Sequence, residues 1–469
     1  MAEHTTIHGQ WSNRLMFILA ATGSAVGLGN IWKFPYITGE NGGGAFVAIY
    51  LACIVIVGVP IMMAEVMLGR RGRQSPINTM RSLATAENAD KRWVLLGWGG
   101  VLAGFLILSY YSVIAGWALS YVVRTAAGVF SGATADGVQS IFNGLVGDPE
   151  RLLAWHTLFM VMCMVVVARG VRHGLEQAVR ILMPALFILL LVLLGYAYTT
   201  GAFQQGLNFL FTPDFGKLFY SCELTEGVEN CSFDGGPLLT AMGHAFFTLS
   251  LGMGAIMVYG SYMPQQNSIT SSVLMIAMLD TLVALLAGMA IFPIVFANGL
   301  EPGAGPGLIF QTLPIAFGAM PGGTIFGTIF FVLLVFAAWT SGISLIEPAV
   351  AWLVENRGMS RIRAAIWVGL LVWFLGLGTV FSFNIWSGES FQLFGKTFFD
   401  IMDYLTANIM LPLGGLLIAI FAGRCMSRSS SVDEFSMGDG LIYKTWWLLI
   451  RYITPVAVVI VFLHAIGVV

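Results

Sequence analysis

Apolar stretches long enough to cross a lipid bilayer recur from one end of this chain to the other. About 20 apolar residues in an α-helix span the hydrocarbon core, and a helix satisfies its own backbone hydrogen bonds in lipid. Only 10% of the 469 residues are charged, whereas soluble domains carry about 25%. These charges are too few to cover a large soluble domain, so the sequence predicts an all-α integral membrane protein.

Hydropathy predicts eleven membrane helices, here called spans 1 to 11. Their ranges are 13–37, 42–69, 94–124, 152–169, 175–199, 237–262, 270–298, 324–355, 361–381, 397–423 and 445–467. The long connection 299–323 contains an apolar stretch that is too short to span. We interpret this stretch as a re-entrant or capping helix, or as a loop helix without a gating role.

The spans group into two halves of five. The predicted domains are an N-terminal segment 1–12, a first inverted repeat 13–199, an outer loop 200–236, a second inverted repeat 237–423, a cytoplasmic loop 424–444 and a last helix 445–469.

Most Lys and Arg residues lie in the connections on the side of the N-terminus. Those on the other side are Arg124, Arg151, Lys217 and Lys396. Because cytoplasmic loops carry an excess of Lys and Arg, we expect an inner-membrane protein with a cytoplasmic N-terminus and an outer C-terminus. Cys222 and Cys231 would then lie on the oxidising face. The sequence leaves open whether a disulfide joins them.

Glycines interrupt the first and sixth spans near mid-depth. Gly23, Gly27 and Gly29 lie in span 1, and Gly252 and Gly254 lie in span 6. A glycine inside a helix costs about 1 kcal/mol relative to alanine, although small residues also let helices pack closely. Interruptions at corresponding positions of two halves indicate a transporter binding site at the bilayer midplane.

Broken helices at membrane depth expose peptide groups that lipid does not satisfy. Helix N-termini attract a carboxylate, and free carbonyls and hydroxyls suit sodium, so a zwitterion bound beside sodium satisfies both. A proton-coupled carrier and a channel are the alternatives, although no charged ring or filter sequence is visible. Neither an HExxH motif nor a convincing triad points to an enzyme. The expected partners are a small molecule, sodium ions and the bilayer, and no nucleic acid.

Five motifs between Trp11 and Gly423 are specific enough to compare with a family. They read GLGNIWKFPY, NGGGAF, SYYSVIAGW, FFTLSLGMGA and AAWTSGISLIEP. In these motifs the chain resembles the neurotransmitter:sodium symporter family, and most of all its bacterial members that carry hydrophobic L-amino acids. The resemblance implies eleven helices in a 5+5 inverted repeat with broken helices 1 and 6. It also implies sodium-coupled symport into the cell by alternating access.

The resemblance implies two sodium sites. The first would use the Ala25 carbonyl and the side chains of Asn30, Thr248 and Asp280, together with the substrate carboxylate. The second would use the carbonyls of Gly23, Val26 and Ala337 and the hydroxyls of Thr340 and Ser341. Both are oxygen-only sets, as an alkali cation requires.

The resemblance also implies an amino acid site. Its carboxylate would meet the N–H groups near Leu28 and Gly29 and the Tyr111 hydroxyl. Its amine would meet the carbonyls of Ala25, Phe247 and Thr248 and the Ser250 hydroxyl. The side-chain pocket would be lined by Ile107, Tyr111, Phe247, Met253, Ser341 and Leu345.

Two positions bear on the substrate class. Monoamine carriers of the family have an acid where this chain has Gly27, and glycine leaves room for an α-carboxylate. Met253 lies at the corner of span 6, and methionine fills irregular space adaptably. We therefore expect a hydrophobic amino acid, with tolerance of large or varied side chains.

Gate residues follow from the same resemblance. Lys33 and Asp403 match the outer pair, with lysine in place of the usual arginine, so that a looser or water-bridged gate is expected. Trp11 and Glu355 match the inner gate, but His8 stands where the family has arginine. The inner latch is therefore in doubt. His8 is either a pH-sensitive latch residue or a solvated residue of the tail.

Further polar or helix-breaking residues inside spans are candidates for function. Asp280 replaces an asparagine of many members, while Ala284 replaces the glutamate of chloride-independent ones. Asp280 would supply that charge itself and make transport chloride-independent, or else be a protonated residue of the bundle. His244 is either a proton carrier or a neutral core histidine. Gly174 and Pro184 either let span 5 unwind or only kink it.

Overall fold

The computed structural model describes residues 7–225, 228–303, 307–435 and 440–465. The helices of the first half are α1 Arg14–Ala25, α2 Phe34–Glu40, α3 Gly44–Cys53, α4 Val59–Gly72, α5 Pro76–Ala86, α6 Val94–Ala126, α7 Ala135–Val146, α8 Pro149–Ala168, α9 Glu176–Tyr198, α10 Phe203–Phe211 and α11 Phe215–Phe219. Those of the second half are α12 Gly236–Thr248, α13 Ala255–Ser261, α14 Ile269–Ala297, α15 Leu313–Ala319, α16 Gly323–Arg357, α17 Arg361–Ser382, α18 Phe398–Asp403, α19 Leu411–Ile420, α20 Arg428–Phe435, α21 Leu441–Leu448 and α22 Thr454–Ala465.

Single π-helical or 3₁₀ turns join or extend several of these helices. The π-helical turns are Gly29–Lys33, Ile54–Gly58, Val171–Leu175, Leu308–Thr312, Tyr404–Met410, Phe421–Cys425 and Leu449–Ile453, and the 3₁₀ turns are Lys91–Trp93 and Glu389–Phe391. The turn Val171–Leu175 contains Gly174 and leads into α9, which holds Pro184 in its interior. The π-helical turn places an irregularity at the start of span 5, beside Gly174, whereas Pro184 lies within continuous helix.

Helices begin where the sequence provides caps. The Asn13 side chain accepts a hydrogen bond from the Met16 N–H at 3.0 Å and starts α1. Ser360 caps α17 in the same way, and Thr397 and Asp400 form a capping box at the start of α18. Each cap satisfies a backbone N–H that the first turn leaves without a partner.

In the part of the chain that the structure describes, eight helices are long and apolar enough to cross a membrane. A ninth span results if α1 and the helix Gly29–Glu40, which meet at 51°, are counted as one broken span. Span 6 is divided between α12 and α13, and span 11 between α21 and α22. The helical membrane fold is confirmed, while the total of eleven spans stays a prediction.

Both predicted interruptions are present as non-helical backbone. Span 1 leaves the helix at Val26, which is extended with φ −69° and ψ 104°. Span 6 has positive φ at Ser250 (54°), Gly252 (78°) and Gly254 (73°). The left-handed region is open to glycine at little cost, and Ser250 adopts it while its hydroxyl donates to the Ser24 carbonyl at 2.8 Å.

Spans 3 and 8 pack along each other as α6 and α16 and carry one wall of the central cavity. The α1 half of span 1 packs on α9, α14 and α16. The loop helix beginning at Leu308 lies over span 3, where the Tyr121 hydroxyl donates to the Phe310 carbonyl at 2.8 Å. A short apolar helix is therefore present in this connection, its capping role stays a prediction, and residues 304–306 before it lie outside the described residues.

The loop between spans 5 and 6 holds an antiparallel hairpin of β1 Tyr220–Thr225 and β2 Val228–Phe233. These are the only strands among the described residues, and they stand apart from the helical core. The register places Cys222 directly opposite Cys231. Their side chains lie outside the described residues, so the disulfide stays a prediction.

Candidate functional site

The two breaks face one cavity with an empty volume of about 300 Å³. It is lined by Ser24, Ala25, Gly27, Leu28, Gly29, Ile107, Tyr111, Phe247, Ser250, Met253, Ser341 and Leu345. Every residue that the sequence predicts to contact substrate lines this cavity, with the exception of Thr248. Ser24 lines it as well and was not expected there.

Neighbouring side chains leave little room for a side chain at two of the glycines that line the cavity. A Cβ on Gly27 would lie 2.5 Å from Ser341 Oγ and 2.9 Å from the Tyr111 hydroxyl. A Cβ on Gly29 would lie 3.1 Å from the Phe247 ring. An acidic side chain at position 27 does not fit here, which agrees with the expectation from the sequence.

The cavity has a polar end and an apolar end. At the polar end the Leu28 N–H donates to the Tyr111 hydroxyl at 3.2 Å. The Ser250 hydroxyl lies at the same end, bonded to the Ser24 carbonyl. The apolar end is formed by Ile107, Met253 and Leu345, which are all buried.

The side chains predicted for the first sodium site form one buried hydrogen-bonded group. Asn30 Nδ2 donates to Asp280 Oδ1 at 2.8 Å, and the Thr248 hydroxyl lies 3.1 Å from both oxygens of the same carboxylate. Asn30 Oδ1 accepts from the Gly27 N–H at 3.0 Å. Within the described residues Asp280 makes no ion pair, and its carboxyl group bonds only to Asn30 and Thr248; whether it is charged or protonated stays a prediction. A buried carboxylate without a counter-charge is costly, and the donor set fits an alkali cation.

The groups predicted for the second site also converge. The Ser341 hydroxyl lies 3.0 Å from the Ser24 carbonyl, 3.2 Å from that of Val26 and 3.4 Å from that of Gly23. The Thr340 hydroxyl donates to two carbonyls of its own helix, that of Phe336 at 3.2 Å and that of Ala337 at 3.1 Å, as a threonine inside a helix often does. All of these donors are neutral oxygens, so the set fits a hard monovalent ion and offers no ligand to a soft metal.

The predicted outer gate is not closed by an ion pair. Lys33 Nζ lies 5.1 Å from the centre of the Phe247 ring, at cation–π distance. Among the residues that the structure describes, no Lys33–Asp403 contact falls within 4.0 Å. A point charge on a flexible stem is not held in a fixed geometry as a guanidinium is, which agrees with a looser gate.

The inner latch is formed, and histidine forms it. His8 Nε2 lies 3.0 Å from Glu355 Oε1, and both side chains are almost wholly buried. Glu355 also accepts from the Ser75 N–H at 2.7 Å and from Asn78 Nδ2 at 2.8 Å. Trp11 donates to the Tyr259 carbonyl at 3.0 Å and is 1% exposed. The alternative of a solvated tail histidine is therefore wrong.

Two further buried carboxylates, which the sequence did not lead us to expect, contact span 6. Glu65 accepts from the Gly252 N–H at 2.6 Å and so holds the loose part of span 6. Glu347 pairs with Arg361 and accepts from the Tyr262 hydroxyl at 2.7 Å, which ties span 6 to spans 8 and 9. Ionisable residues inside apolar spans are the signal that would have found both glutamates.

His244 is buried, as expected of a core histidine, but in the described part of the chain its ring lacks the hydrogen bonds that such a histidine usually makes. Its two ring nitrogens have no hydrogen-bond partner among the described residues. The ring stacks on Phe34 at 6.0 Å and lies 5.3 Å from the Tyr50 ring. The structure therefore gives it an aromatic environment and assigns it neither of the two roles considered.

Two broken membrane helices whose peptide groups line one buried cavity define a secondary transporter. This class explains why hydroxyls and carbonyls gather at the breaks, where lipid cannot satisfy them. Comparison with known proteins agrees. A family model described as the sodium:neurotransmitter symporter family matches residues 8–134 and 144–469. The chain belongs to this family, whose members are sodium-coupled secondary transporters and not enzymes, and the resemblance seen in the motifs is confirmed.

Similar proteins cover the chain from end to end. An uncharacterized sodium-dependent transporter of Bacillus subtilis strain 168, YhdH, is 39% identical over 462 residues, which are 98% of each chain. An uncharacterized sodium-dependent transporter of Haemophilus influenzae is 31% identical over 460 residues, or 97% of each chain. Among solved structures, MhsT in complex with L-phenylalanine superimposes with a TM-score of 0.87 at 43% identity, covering 97% of this chain and 99% of that one.

Proposed function

We propose that this transporter carries a hydrophobic L-amino acid into the cell together with sodium. The observation that carries the proposal is the division of the cavity: hydroxyls and peptide groups of the two breaks at one end, Ile107, Met253 and Leu345 at the other. A zwitterion with an apolar side chain matches both ends.

The polar end would bind the α-carboxylate and the α-amine separately. The carboxylate would lie against the N–H groups near Leu28 and Gly29 and the Tyr111 hydroxyl, where a helix begins again. Helix N-termini favour anions. The amine would meet the Ala25, Phe247 and Thr248 carbonyls and the Ser250 hydroxyl. Gly27 supports this arrangement because it leaves the carboxylate its space.

Sodium would be transported cargo at two sites. The first is the Asn30, Thr248 and Asp280 group with the Ala25 carbonyl, and the second is the set around Ser341. The first site adjoins the substrate because Ala25 belongs to both. Binding of cation and carboxylate side by side would make each ligand raise the affinity for the other, which is the basis of coupling.

Movement would follow the alternating-access scheme, with the N-terminus in the cytoplasm. Substrate and sodium would enter past Lys33 and Phe247, since the other side is closed by His8, Trp11 and Glu355. Binding of the ligands would favour the state that closes over them. The inner latch would then break and release sodium and amino acid. A relative of similar fold holds L-phenylalanine, which supports a large apolar substrate here.

Purified protein in liposomes tests the proposal. An inward sodium gradient should drive uptake of hydrophobic amino acids, and a screen of all twenty should rank large apolar side chains first. Uptake driven by a proton gradient without sodium would establish the proton-coupled alternative. Current without any amino acid would establish a channel. A strict preference for glycine or alanine would contradict the substrate class but leave sodium coupling intact.

A further inference from the structure

Helix α6 of span 3 presents a stripe of small and apolar residues to the loose part of span 6. Gly100, Gly104, Ile107 and Tyr111 recur three or four residues apart, which places them on one face of the helix. Ile107 and Tyr111 line the cavity. The two glycines lie one and two turns nearer the start of α6, below the apolar end of the cavity.

Gly104 lies against the backbone of two cavity-lining residues. A Cβ added to it would lie 3.1 Å from the Leu345 carbonyl oxygen, 3.4 Å from the Met253 carbonyl oxygen and 3.8 Å from Leu345 Cδ2. The first distance is shorter than an ordinary van der Waals contact, so a methyl group here requires Leu345 to move by a few tenths of an ångström, whereas the distance to Met253 is an ordinary contact. The side chains of both neighbours form the apolar end of the cavity.

Gly100 extends the same contact by one turn. A Cβ on it would lie 3.1 Å from the Gly254 nitrogen and 3.4 Å from the Gly252 carbonyl oxygen. The backbone of span 6 therefore packs directly against α6 on both sides of Met253. Such closeness is available only where the facing residues lack side chains.

The segment of span 6 has little room to retreat from α6. On its other side the Gly252 N–H donates to buried Glu65 at 2.6 Å. A Cβ on Gly252 would lie 2.7 Å from the Leu411 carbonyl oxygen of span 10. Since span 10 and Glu65 hold the Met253 segment from behind, a group added at position 104 shifts Leu345, whose side chain lines the apolar end of the cavity.

We infer that Gly104 is a specificity-determining residue, because its missing side chain sets the depth of the apolar end of the cavity and thereby the largest amino-acid side chain that is accepted. The inference rests on the proposed function and names the residue that selects among its substrates. One methylene in an apolar pocket changes binding by about 10–200-fold. A single methyl group at position 104 is therefore enough to alter selectivity.

The test compares purified G104A with wild type by equilibrium binding of L-valine, L-phenylalanine and L-tryptophan in sodium. The ratio of phenylalanine to valine affinity should fall about tenfold or more, with the tryptophan ratio falling further. Valine affinity and the sodium midpoint should stay near their wild-type values. Gly99 lies on the same helix, and a Cβ on it meets nothing within 4 Å, so G99A is the matched control and should keep all ratios.

Two further variants keep the inference testable if G104A is poorly folded. In the wild-type background, M253A should open the space down to Gly104 and raise the affinity for tryptophan relative to valine. In the double variant G104A/M253A, the phenylalanine to valine ratio should recover toward wild type, because loss of the Met253 side chain returns the space that the shifted Leu345 takes.

An unchanged phenylalanine to valine ratio in folded G104A overturns the inference, and so does an equal loss of affinity for all three amino acids. If M253A gives tryptophan no advantage over valine, the inference fails on independent grounds. A wild-type protein that binds none of the three amino acids in sodium refutes the proposed function itself. That result is distinguishable because it appears before any variant is made.

Discussion

At the scale of single residues, Asp280 is the carboxyl group of the proposed first sodium site. It is fully buried, and its carboxylate is held by Asn30 and Thr248. The substitution D280N keeps the shape and removes the charge. We expect the sodium concentration for half-maximal binding to rise at least about tenfold, because removal of one member of a buried charge pair costs about 3–5 kcal/mol. Sodium-dependent binding of a labelled amino acid measures this midpoint.

An exposed carboxylate outside the spans provides the control, and D90N should leave the midpoint unchanged. Wild-type uptake should also persist when gluconate replaces chloride, since Asp280 would supply the charge that chloride supplies elsewhere in the family. Loss of uptake without chloride, or a D280N protein with an unaltered sodium midpoint, would contradict this role.

The inner latch joins the His8 imidazole to the Glu355 carboxylate. The His8 ring also lies 5.8 Å from the Tyr262 ring, near the buried pair of Glu347 and Arg361. Glu355 accepts further hydrogen bonds from Ser75 and Asn78. A weaker acceptor at position 355 should therefore loosen the latch.

Hydrogen exchange of the amides around Trp11 measures latch opening. E355Q should accelerate this exchange, because it replaces the carboxylate that His8, Ser75 and Asn78 contact with a neutral amide. H8R should keep exchange slow, because an arginine can still pair with the Glu355 carboxylate. Exchange at the wild-type rate in E355Q would contradict the latch.

At the scale of elements, the break in span 6 depends on left-handed backbone. Gly254 has φ +73°, and a Cβ on it would lie 3.1 Å from Pro76 Cγ. We expect G254A to destabilise the protein by about 1–3 kcal/mol and to lower amino acid binding, because Met253 would lose its position. Gly243 lies inside α12 with nothing within 4 Å of a Cβ. G243A should be neutral or stabilising, since alanine favours helix.

Thermal unfolding in detergent, followed together with ligand binding, measures both effects. Equal stability of the two alanine variants would show that the break does not rely on glycine at position 254. The comparison is matched because both glycines belong to span 6 and differ in backbone conformation, not in chemistry.

At the scale of the whole molecule, ligands that hold the two broken spans together should stabilise the fold. A ligand that binds only the folded state adds about 2.7 kcal/mol at a concentration 100 times its Kd. We expect the melting temperature to rise with sodium and to rise further with a hydrophobic amino acid. The amino acid should have little effect when potassium replaces sodium, because the sites adjoin through Ala25. An equal shift in potassium would contradict coupling between the sites.

Much of the site could be predicted from the sequence because the features that indicate it are local. The glycines near residues 27 and 252 break a helix wherever they lie at membrane depth, since each exposes peptide groups that lipid does not satisfy. The motifs then indicated which hydroxyls and amides would gather there. The structure places all but one of the predicted substrate residues around a single cavity.

Contacts between residues that are far apart in the sequence were harder to predict from the sequence. The latch joins His8 to a residue 347 positions away, and Glu65 holds Gly252 across 187 positions. A carboxylate inside a span indicates a functional residue. Its partner, however, depends on how the helices pack against each other, and hydropathy does not predict that packing. Helix packing likewise places Lys33 on the Phe247 ring, so that among the described residues no Lys33–Asp403 ion pair forms at the outer gate.

By itself, the sequence determined that this is a helical membrane protein, that spans 1 and 6 are interrupted and that oxygen donors lie at the interruptions, because hydropathy and glycine act on their own segment of chain. The tertiary structure alone decided that His8 closes the inner side, that Lys33 rests on Phe247 and that Gly104 lies under the apolar end of the cavity. Those contacts depend on the distance and angle between helices that are far apart along the chain.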